Sequence, residues 1–374
     1  MPVNVFTTLD DPLATNGTDA FGINAMGQIV GLYEDASGNH GFLYGNGTYT
    51  TLDDPLASPG GDGTSAFGIN DLGQIVGSYS NASGNHGFVL SGGTYTTLDD
   101  PLATRGTFAQ GINNAGQIVG YYTNASGNHG FLYNPNGGTY TTLDDPLATT
   151  GTKAFGINNN GQIVGFYSIA LGNASGPHGF LYNPNGGTYT TLDDPLAAHT
   201  LARGINDAGQ IAGYYEDGNG RTHGFLYSAG FYTSLDDPSA TSDTFADGIN
   251  DLGQTVGIYI NGTDVHGFLE TAVPNPPVPA GTTADMILRG SNTSPFACQY
   301  EIYDIGSNAI LGGYSLGQVG TDWGFVTLGG FNGADTSDML LRNANTGGFE
   351  VYDISNKNIT NAALMGNVGM EWQV

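Results

Sequence analysis

One sequence unit recurs six times in residues 1–270, and this repetition constrains the fold more than any single residue does. Three short motifs mark each copy: Gly-Ile-Asn, His-Gly-Phe and Leu-Asp-Asp-Pro. Equivalent residues of successive copies lie 43–49 positions apart. That period falls in the range of four-stranded propeller blades. The sequence therefore predicts an all-β, six-bladed β-propeller.

Each unit is predicted to form four short antiparallel strands. In the second unit these strands are Ala66–Asn70, Gln74–Tyr79, His86–Leu90 and Thr94–Leu98. β-branched and aromatic residues fill them, and Asn and Gly occupy the turns between them. The density of Gly and Thr leaves no apolar i, i+3, i+4 pattern that would favour a helix. One unit therefore corresponds to one blade.

The phase of the repeat predicts how the ring closes. The chain begins with Phe6–Leu9, which matches a fourth strand and has no first three strands before it. The sixth unit ends at His266–Glu270, which matches a third strand, and no fourth strand follows. We therefore expect the N-terminal strand to complete the last blade.

A smaller module follows the repeats. Residues 271–280 contain four prolines and predict a semi-rigid extended linker. Residues 281–374 contain a second repeat, because Asp285-Met-Ile-Leu-Arg is matched by Asp338-Met-Leu-Leu-Arg. We expect two all-β, blade-like units there. The second unit stops two residues after Trp372, so we expect the natural protein to continue.

The charge and the apolar pattern exclude several classes of partner. The net charge is −27, from 7 Lys and Arg against 34 Asp and Glu, so phosphate backbones are repelled and no nucleic acid is expected. No run of 18 apolar residues predicts a membrane-spanning helix. Because Met1–Asn4 has no basic or apolar leader, we expect an extracellular or cell-surface protein that is exported without a classical signal.

The repeat resembles a known family. Residues 22–31 of the first unit have the pattern Gly-Ile-Asn-x-x-Gly-Gln-Ile-Val-Gly, and His-Gly-Phe-Leu-Tyr follows at residues 40–44. This string resembles the HAF repeat of bacterial extracellular proteins, with Gly in the place of Ala, and the resemblance covers residues 1–270. It implies export and a propeller-like repeat. It supplies no catalytic motif.

Residues 329–342 resemble the FG-GAP/VCBS repeat, whose loop binds calcium through alternating acidic residues. Asn332 and Asp338 match that pattern, and Asp335 lies one position late. Gly330 and Ala334 occupy two of the usual acidic positions. Because Ca²⁺ takes six or more oxygen ligands, we expect a weak or absent calcium site and no other cofactor.

Histidine and aspartate recur at fixed positions in every unit. Each His begins a third strand, and the first Asp of each Asp-Asp-Pro follows a fourth strand, so both belong to loops on the same face. We expect a structural hydrogen-bond network, with a His–carboxylate metal site or acid–base chemistry as alternatives. The residues are His40, His86, His129, His178, His223 and His266, with Asp10, Asp53, Asp99, Asp144, Asp193 and Asp236.

Two series of positions break the repeat. The residue before Gly-Ile-Asn is Phe21, Phe67, Gln110, Phe155, Arg203 or Asp247. Two positions earlier the series is Asp19, Ser65, Phe108, Lys153, Leu201 and Phe245. Both positions share one strand face, so compensated packing is one interpretation. The other is an uneven channel mouth at which Gln110, Lys153, Arg203 and Asp247 bind a ligand, with Arg203 and Asp247 close enough to pair.

Three functions remain open at this point. The first is an extracellular binding or adhesion module that is multivalent, of low affinity, and directed at glycans or at a cell-surface or matrix partner. The second is a structural matrix protein without a small ligand. The third is a lyase or lactonase, which is disfavoured because no catalytic motif is found and no catalytic residue is nominated.

Overall fold

A computed structural model of the chain describes residues 3–58, 63–170, 176–195, 197–273, 284–289, 299–306, 309–318, 323–329, 338–343, 348–355 and 358–367. The described residues contain 31 strands and no helix, so the predicted all-β class is confirmed. Accordingly, nothing in this part of the chain is a helix long and apolar enough to cross a membrane. The chain divides into two compact units, of which the larger spans Asn4–Ala272.

The larger unit contains 24 strands, which fall into six groups of four. In the first three groups the strands are β2 (Gly17–Ile23), β3 (Ile29–Asp35), β4 (Gly38–Gly45) and β5 (Thr48–Leu52); β6 (Thr64–Ile69), β7 (Ile75–Asn81), β8 (Gly84–Ser91) and β9 (Thr94–Leu98); and β10 (Gly106–Ile112), β11 (Ile118–Asn124), β12 (Gly127–Asn134) and β13 (Thr139–Leu143).

The other three groups continue the same order. They are β14 (Gly151–Ile157), β15 (Ile163–Ile169), β16 (Gly176–Asn183) and β17 (Thr188–Leu192); β18 (His199–Ile205), β19 (Ile211–Glu216), β20 (Thr222–Ser228) and β21 (Phe231–Ser234); and β22 (Thr244–Ile249), β23 (Thr255–Asn261) and β24 (Asp264–Val273) with β1 (Val3–Leu9). We number these groups as units one to six.

In units one to five the strands pair antiparallel in chain order, and in unit six the order is β22, β23, β24 and then β1. Units two, three and four are joined into one sheet only through single parallel bridges, Asn85 to Gly106 and Asn128 to Gly151. The three units therefore remain separate four-stranded groups. The result is a propeller-like arrangement of repeated antiparallel sheets.

The hydrophobic core lies between neighbouring units. One cluster joins Val76 of unit two to Ile118, Tyr122 and Phe131 of unit three. The equivalent third-strand phenylalanine, such as Phe131, is fully buried in all six units. Since each unit buries its apolar face against the next unit, no unit has a complete core of its own.

The ends of the repeat meet in the structure. Strand β1 pairs with β24, which makes it the fourth strand of unit six. Leu9 and Val256 pack with Ala20 and Phe42 of unit one. At the inner edge, a Cβ on Gly248 of unit six would lie 2.5 Å from the carbonyl oxygen of Phe21. Only glycine permits this close approach of unit six to unit one.

A ring of hydrogen bonds follows the inner strands. The side-chain amide of each Gly-Ile-Asn asparagine donates to the backbone carbonyl of the equivalent asparagine in the next unit, at 2.9–3.2 Å. The last of these bonds runs from Asn250 in unit six back to Asn24 in unit one. The participants are Asn24, Asn70, Asn113, Asn158, Asn206 and Asn250.

In the smaller unit the structure describes strand backbones. One sheet has three strands and the other has four. The strands are β25 (Ala284–Arg289), β26 (Gln299–Gly306) and β27 (Ala309–Gln318), then β28 (Trp323–Gly329), β29 (Asp338–Asn343), β30 (Gly348–Ser355) and β31 (Asn358–Asn367). Most of the predicted linker lies outside the described residues, and so do Asn332, Asp335 and the side chain of Asp338 in the calcium-like loop.

The pairing of β1 with β24 predicts a dependence on the N-terminus. Deleting residues 1–9 exposes the edge of β24 and removes Leu9 from the core, so we expect a lower melting temperature and aggregation. Light scattering and thermal unfolding measure both effects. The Phe6→Tyr variant carries the residue that Tyr49 supplies in unit one and should melt and scatter light like the wild type. A deletion variant that melts like the full chain would contradict the role of β1.

Unit six also contains an ionisable group in its core. Glu270 is 3% exposed and pairs across the sheet with the buried Thr255, whereas unit one has Tyr44 and Ile29 at these positions. Burial raises the pKa of Glu270 from an ordinary value of 4.5 to about 7. The unfolded chain therefore releases this proton at a lower pH than the folded chain does.

Stability should consequently fall between about pH 4.5 and pH 7 and level off above pH 7. The difference in pKa corresponds to about 3 kcal/mol at neutral pH. The Glu270→Gln variant should lose this pH dependence and be more stable than the wild type at pH 8, as measured by urea unfolding. The exposed Glu34→Gln variant controls for the lost charge. Equal pH profiles for Glu270→Gln and the wild type would disprove the assignment.

Candidate functional site

The loops on one face of the larger unit carry the repeated His and Asp residues. Each His lies near the start of a third strand, after the turn that follows the second strand. Each first Asp lies just after a fourth strand, where the chain crosses to the next unit. Antiparallel order brings these two loop sets to the same end of the sheets. We call this end the loop face.

The structure places the six predicted His–Asp pairs in contact. In every unit the imidazole Nδ1 lies 2.8–3.0 Å from the nearer carboxylate oxygen. The sixth pair joins the two ends of the repeat, because His266 contacts Asp10. The pairs are His40–Asp53, His86–Asp99, His129–Asp144, His178–Asp193, His223–Asp236 and His266–Asp10.

The rest of each imidazole is also engaged. Every ring stacks on a second-strand tyrosine, with centroids 5.0–5.4 Å apart, as in Tyr33–His40. In units one to three a serine Oγ lies 2.8–2.9 Å from Nε2. Both ring nitrogens are then occupied and neither is free to bind a metal. Among the described residues, no group of three or more His, Cys, Asp or Glu is arranged to hold an ion.

The second Asp of each loop fixes the turn. The backbone N–H of Asp11 donates to Thr18 Oγ1, and its carboxylate accepts from the N–H of Leu13. Equivalent bonds recur at Asp54, where burial raises the pKa of the carboxyl group. The turn is therefore held from both sides, and it directs the leucine after the proline into solvent. Leu13, Leu56, Leu102 and Leu147 are 57–59% exposed.

The first strands line a central channel. Each has a β-bulge at the residue before Gly-Ile-Asn, so that this residue has no partner on the second strand. These bulged residues line a cavity of about 80 Å³ together with the Gly and Ile that follow them. Bulges are common next to functional sites, because they redirect a side chain. The bulged residues are Phe21, Phe67, Gln110, Phe155, Arg203 and Asp247.

Three of the four predicted channel residues share this cavity. Arg203 donates from Nε to Asp247 Oδ1 at 2.8 Å, and its guanidinium carbon lies 3.9 Å from the centre of the Phe155 ring. Burial raises the pKa of Asp247, and the Arg203 guanidinium opposes that shift. Gln110, three units away from Asp247, completes the polar part of the wall. The predicted pairing of Arg203 with Asp247 is therefore present in the structure.

Lys153, the fourth predicted residue, lies outside the cavity wall. It is two residues nearer to the loop face on β14, and its Nζ lies 4.2 Å from the centre of the Tyr121 ring. Burial, and then the nearby Arg203 guanidinium, lowers the pKa of the Lys153 ammonium group. The contact between Lys153 and Tyr121 crosses from unit four to unit three.

The channel mouth also contains residues that the sequence interpretation missed. Tyr121 and Tyr214 lie on second strands, opposite Phe108 and Leu201. The sequence contains a signal for these two tyrosines, because the second-strand residue at their position varies between units as much as the first-strand residue that it faces. Asp19 was identified only as a member of a series. Burial, followed by repulsion from Asp247 and Glu34, raises its pKa to about 7.

No protein-family model matches the chain, and no curated protein matches it. Similar solved structures include a streptogramin B lyase, with 13% identity over 71% of this chain and 97% of that chain and a TM-score of 0.44. Aleuria aurantia lectin has 13% identity over 63% and 78%, with a TM-score of 0.38. TolB from Acinetobacter baumannii has 13% identity over 91% and 80%, with a TM-score of 0.42. Similarity at this level carries no argument about ligands or activity.

The His–Asp contacts predict a measurable coupling. In a double-mutant cycle of His129→Phe and Asp144→Ala, the phenylalanine retains the stack on Tyr122 but loses the hydrogen bonds. Because the pair is partly exposed, we expect a coupling energy of about 0.5–1 kcal/mol in urea unfolding. Combining His129→Phe with Asp53→Ala, which alters a different pair, provides the control. A coupling no larger than in that control would show that the pair does not stabilise the loop.

Proposed function

We propose that residues 4–272 form a six-bladed β-propeller, closed by β1, that acts as a non-enzymatic, multivalent binding module outside the cell. The pairing of β1 with β24 and the hydrogen bond from Asn250 to Asn24 support the closed ring. The resemblance to HAF repeats supports export. The His–Asp pairs serve to fix the loops, since the Nδ1 atom of each imidazole is bonded to a carboxylate.

The observation that carries this proposal is the exposed leucine on four of the rigid turns, Leu13, Leu56, Leu102 and Leu147. Full burial of a leucine side chain is worth about 1.5–3 kcal/mol, so covering one loop gives weak binding. The turn beneath the leucine is already ordered by Asp11 and Thr18, so binding costs little further entropy. Repetition on one face then converts weak contacts into avidity.

The proposed partner is a neutral glycan on a cell-surface or matrix component. A leucine side chain can pack against the C–H face of a sugar ring. The first Asp beside it, such as Asp53, has a half-exposed carboxylate that can accept hydrogen bonds from hydroxyl groups. A chain with a net charge of −27 repels polyanions. Neutral polysaccharides therefore suit this face better than sulfated ones.

The size of the channel also favours binding at the surface. The cavity holds about 80 Å³, whereas sites that enclose a drug-sized molecule hold about 300–1,000 Å³. A whole substrate therefore does not fit inside the channel. This favours the loop face over a lyase or lactonase centre in the cavity.

The test replaces the exposed leucines with the residue that unit six already has. Ser239 occupies the equivalent position there, so Leu13→Ser, Leu56→Ser, Leu102→Ser and Leu147→Ser should fold. Binding to surfaces coated with mannan, galactan or glucan should weaken with each substitution, and the quadruple variant should lose about tenfold or more in apparent affinity. Biolayer interferometry on the purified chain measures this.

Two leucines at the opposite ends of the first strands provide the control. Leu72 and Leu252 are 69% and 70% exposed, and they follow the Gly-Ile-Asn motif. The Leu72→Ser and Leu252→Ser variants should bind like the wild type. If no neutral polysaccharide binds, or if the quadruple variant binds unchanged, the proposal is wrong and a structural protein without a ligand is favoured.

A further inference from the structure

We propose that the channel binds one small organic carboxylate from the loop face: Gln110 and Arg203 line the cavity that takes the head group, and Lys153 stands two residues nearer to the loop face and attracts the carboxylate at the mouth. This site goes beyond the multivalent surface proposed above, because its residues do not recur among the six units and it does not depend on the exposed leucines.

The first argument is that polar groups in the mouth lack protein partners. Gln110 is only 7% exposed, lines the cavity, and has no side-chain hydrogen bond to any described residue. Arg203 uses only Nε, so its two terminal nitrogens have no hydrogen-bond acceptor in the described part of the chain. Buried polar groups are normally satisfied. On the same face, the Nδ1 atom of every repeated His is bonded to a carboxylate, whereas the Gln110 amide and the Arg203 terminal nitrogens are not bonded to any described residue, which points to a ligand in the mouth.

The second argument is charge. The whole chain has 7 Lys and Arg, and two of them, Lys153 and Arg203, lie on neighbouring units at this mouth. Asp247 neutralises Arg203, whereas Lys153 forms no ion pair with a described residue. Apart from the Asp19 carboxyl group, whose pKa is raised to about 7, the available groups are donors: an ammonium, a guanidinium edge and an amide. Such a set is complementary to a carboxylate.

The third argument is that the cations are already positioned. Each sits on an aromatic ring of the preceding unit: Lys153 on Tyr121 and Arg203 on Phe155. These contacts fix the long side chains before a ligand arrives, which lowers the entropic cost of binding. Gln110, Lys153 and Arg203 belong to three consecutive units, so they form an arc on one side of the channel.

The size of the cavity determines how the ligand sits. A volume of about 80 Å³ is several times what one water needs, so it accommodates a carboxylate head group with some water. A ring does not fit beside it. The ligand body therefore remains in the mouth, where Tyr121 and Phe166 flank the Lys153 ammonium group.

Calorimetric titration of the full chain tests this inference. The probes are benzoate and glucuronate, which carry a carboxylate on an aromatic ring and on a sugar ring, with benzyl alcohol and glucose as neutral counterparts. We expect one molecule of at least one carboxylate per chain and no detectable binding of its neutral counterpart. The carboxylate that binds more tightly identifies the ligand body. If neither carboxylate binds, or if the neutral compounds bind equally well, the inference is overturned.

Two variants assign the binding to this site. Lys153→Ser introduces the residue that Ser65 supplies in unit two, and Gln110→Glu keeps the side-chain shape but adds a negative charge. Each should weaken carboxylate binding about tenfold or more, because a charged hydrogen bond is lost or opposed. Arg105→Ser removes one cation from an exposed loop and should leave affinity unchanged. Undiminished binding in both variants would overturn the site. If a variant fails to fold, the comparison of carboxylates with neutral compounds still decides.

Discussion

The hydrogen bonds between the Gly-Ile-Asn segments hold the rest of the structure in place. Each asparagine amide donates to the carbonyl of the next unit, and the bond from Asn250 returns to Asn24. The adjoining glycines allow the inner strands to approach within contact of one another. This contact fixes where each first strand begins and ends. The bulged residue at the channel and the loop at the other end of the strand are positioned as a consequence.

Polar groups differ in their hydrogen bonding between the rim of the loop face, which carries the His–Asp pairs, and its centre, which is the channel mouth. At the rim, each imidazole is bonded to a carboxylate and stacked on a tyrosine, so repetition stabilises the loops. At the centre, Gln110 and Lys153 have no bonded protein partner among the described residues, although they stand on equally rigid strands. The repeated His and Asp residues are therefore bonded to one another, whereas the residues that differ between units include polar groups without such a partner in the described part of the chain.

Much of this organisation could be predicted from the sequence. The all-β, propeller-like class follows from the period and from the composition of the strands, because one four-stranded sheet cannot bury its own apolar faces. The His–Asp contacts follow from antiparallel order, which brings alternate loops to the same end. The adjacency of Arg203 and Asp247 follows from their equivalent positions in consecutive units.

Other features could not be predicted. The β-bulge before each glycine cannot be recognised from the sequence. It turns Phe155 into the cavity wall and leaves Lys153 outside that wall, although the sequence predicted that both positions share one strand face. The position of Tyr121 at the channel mouth could not be predicted, because it depends on the pairing of Tyr121 with Phe108 across two strands. The register of that pairing is set by the tertiary structure. The burial of Glu270 depends on how β23, β24 and β1 pack in unit six.

The sequence by itself determined the repeat, the strand order and the phase of the repeat. This phase places a fourth strand alone before the first unit and leaves the sixth unit without a fourth strand of its own. These are local properties, because turn residues and alternating side chains act over a few positions. Only the tertiary structure decided which polar groups found partners. Hydrogen bonding between units depends on distances between residues more than forty positions apart, and the packing of neighbouring units sets those distances. That is why the bonded imidazole rings and the Gln110 amide, which is unbonded among the described residues, can be distinguished only in the folded protein.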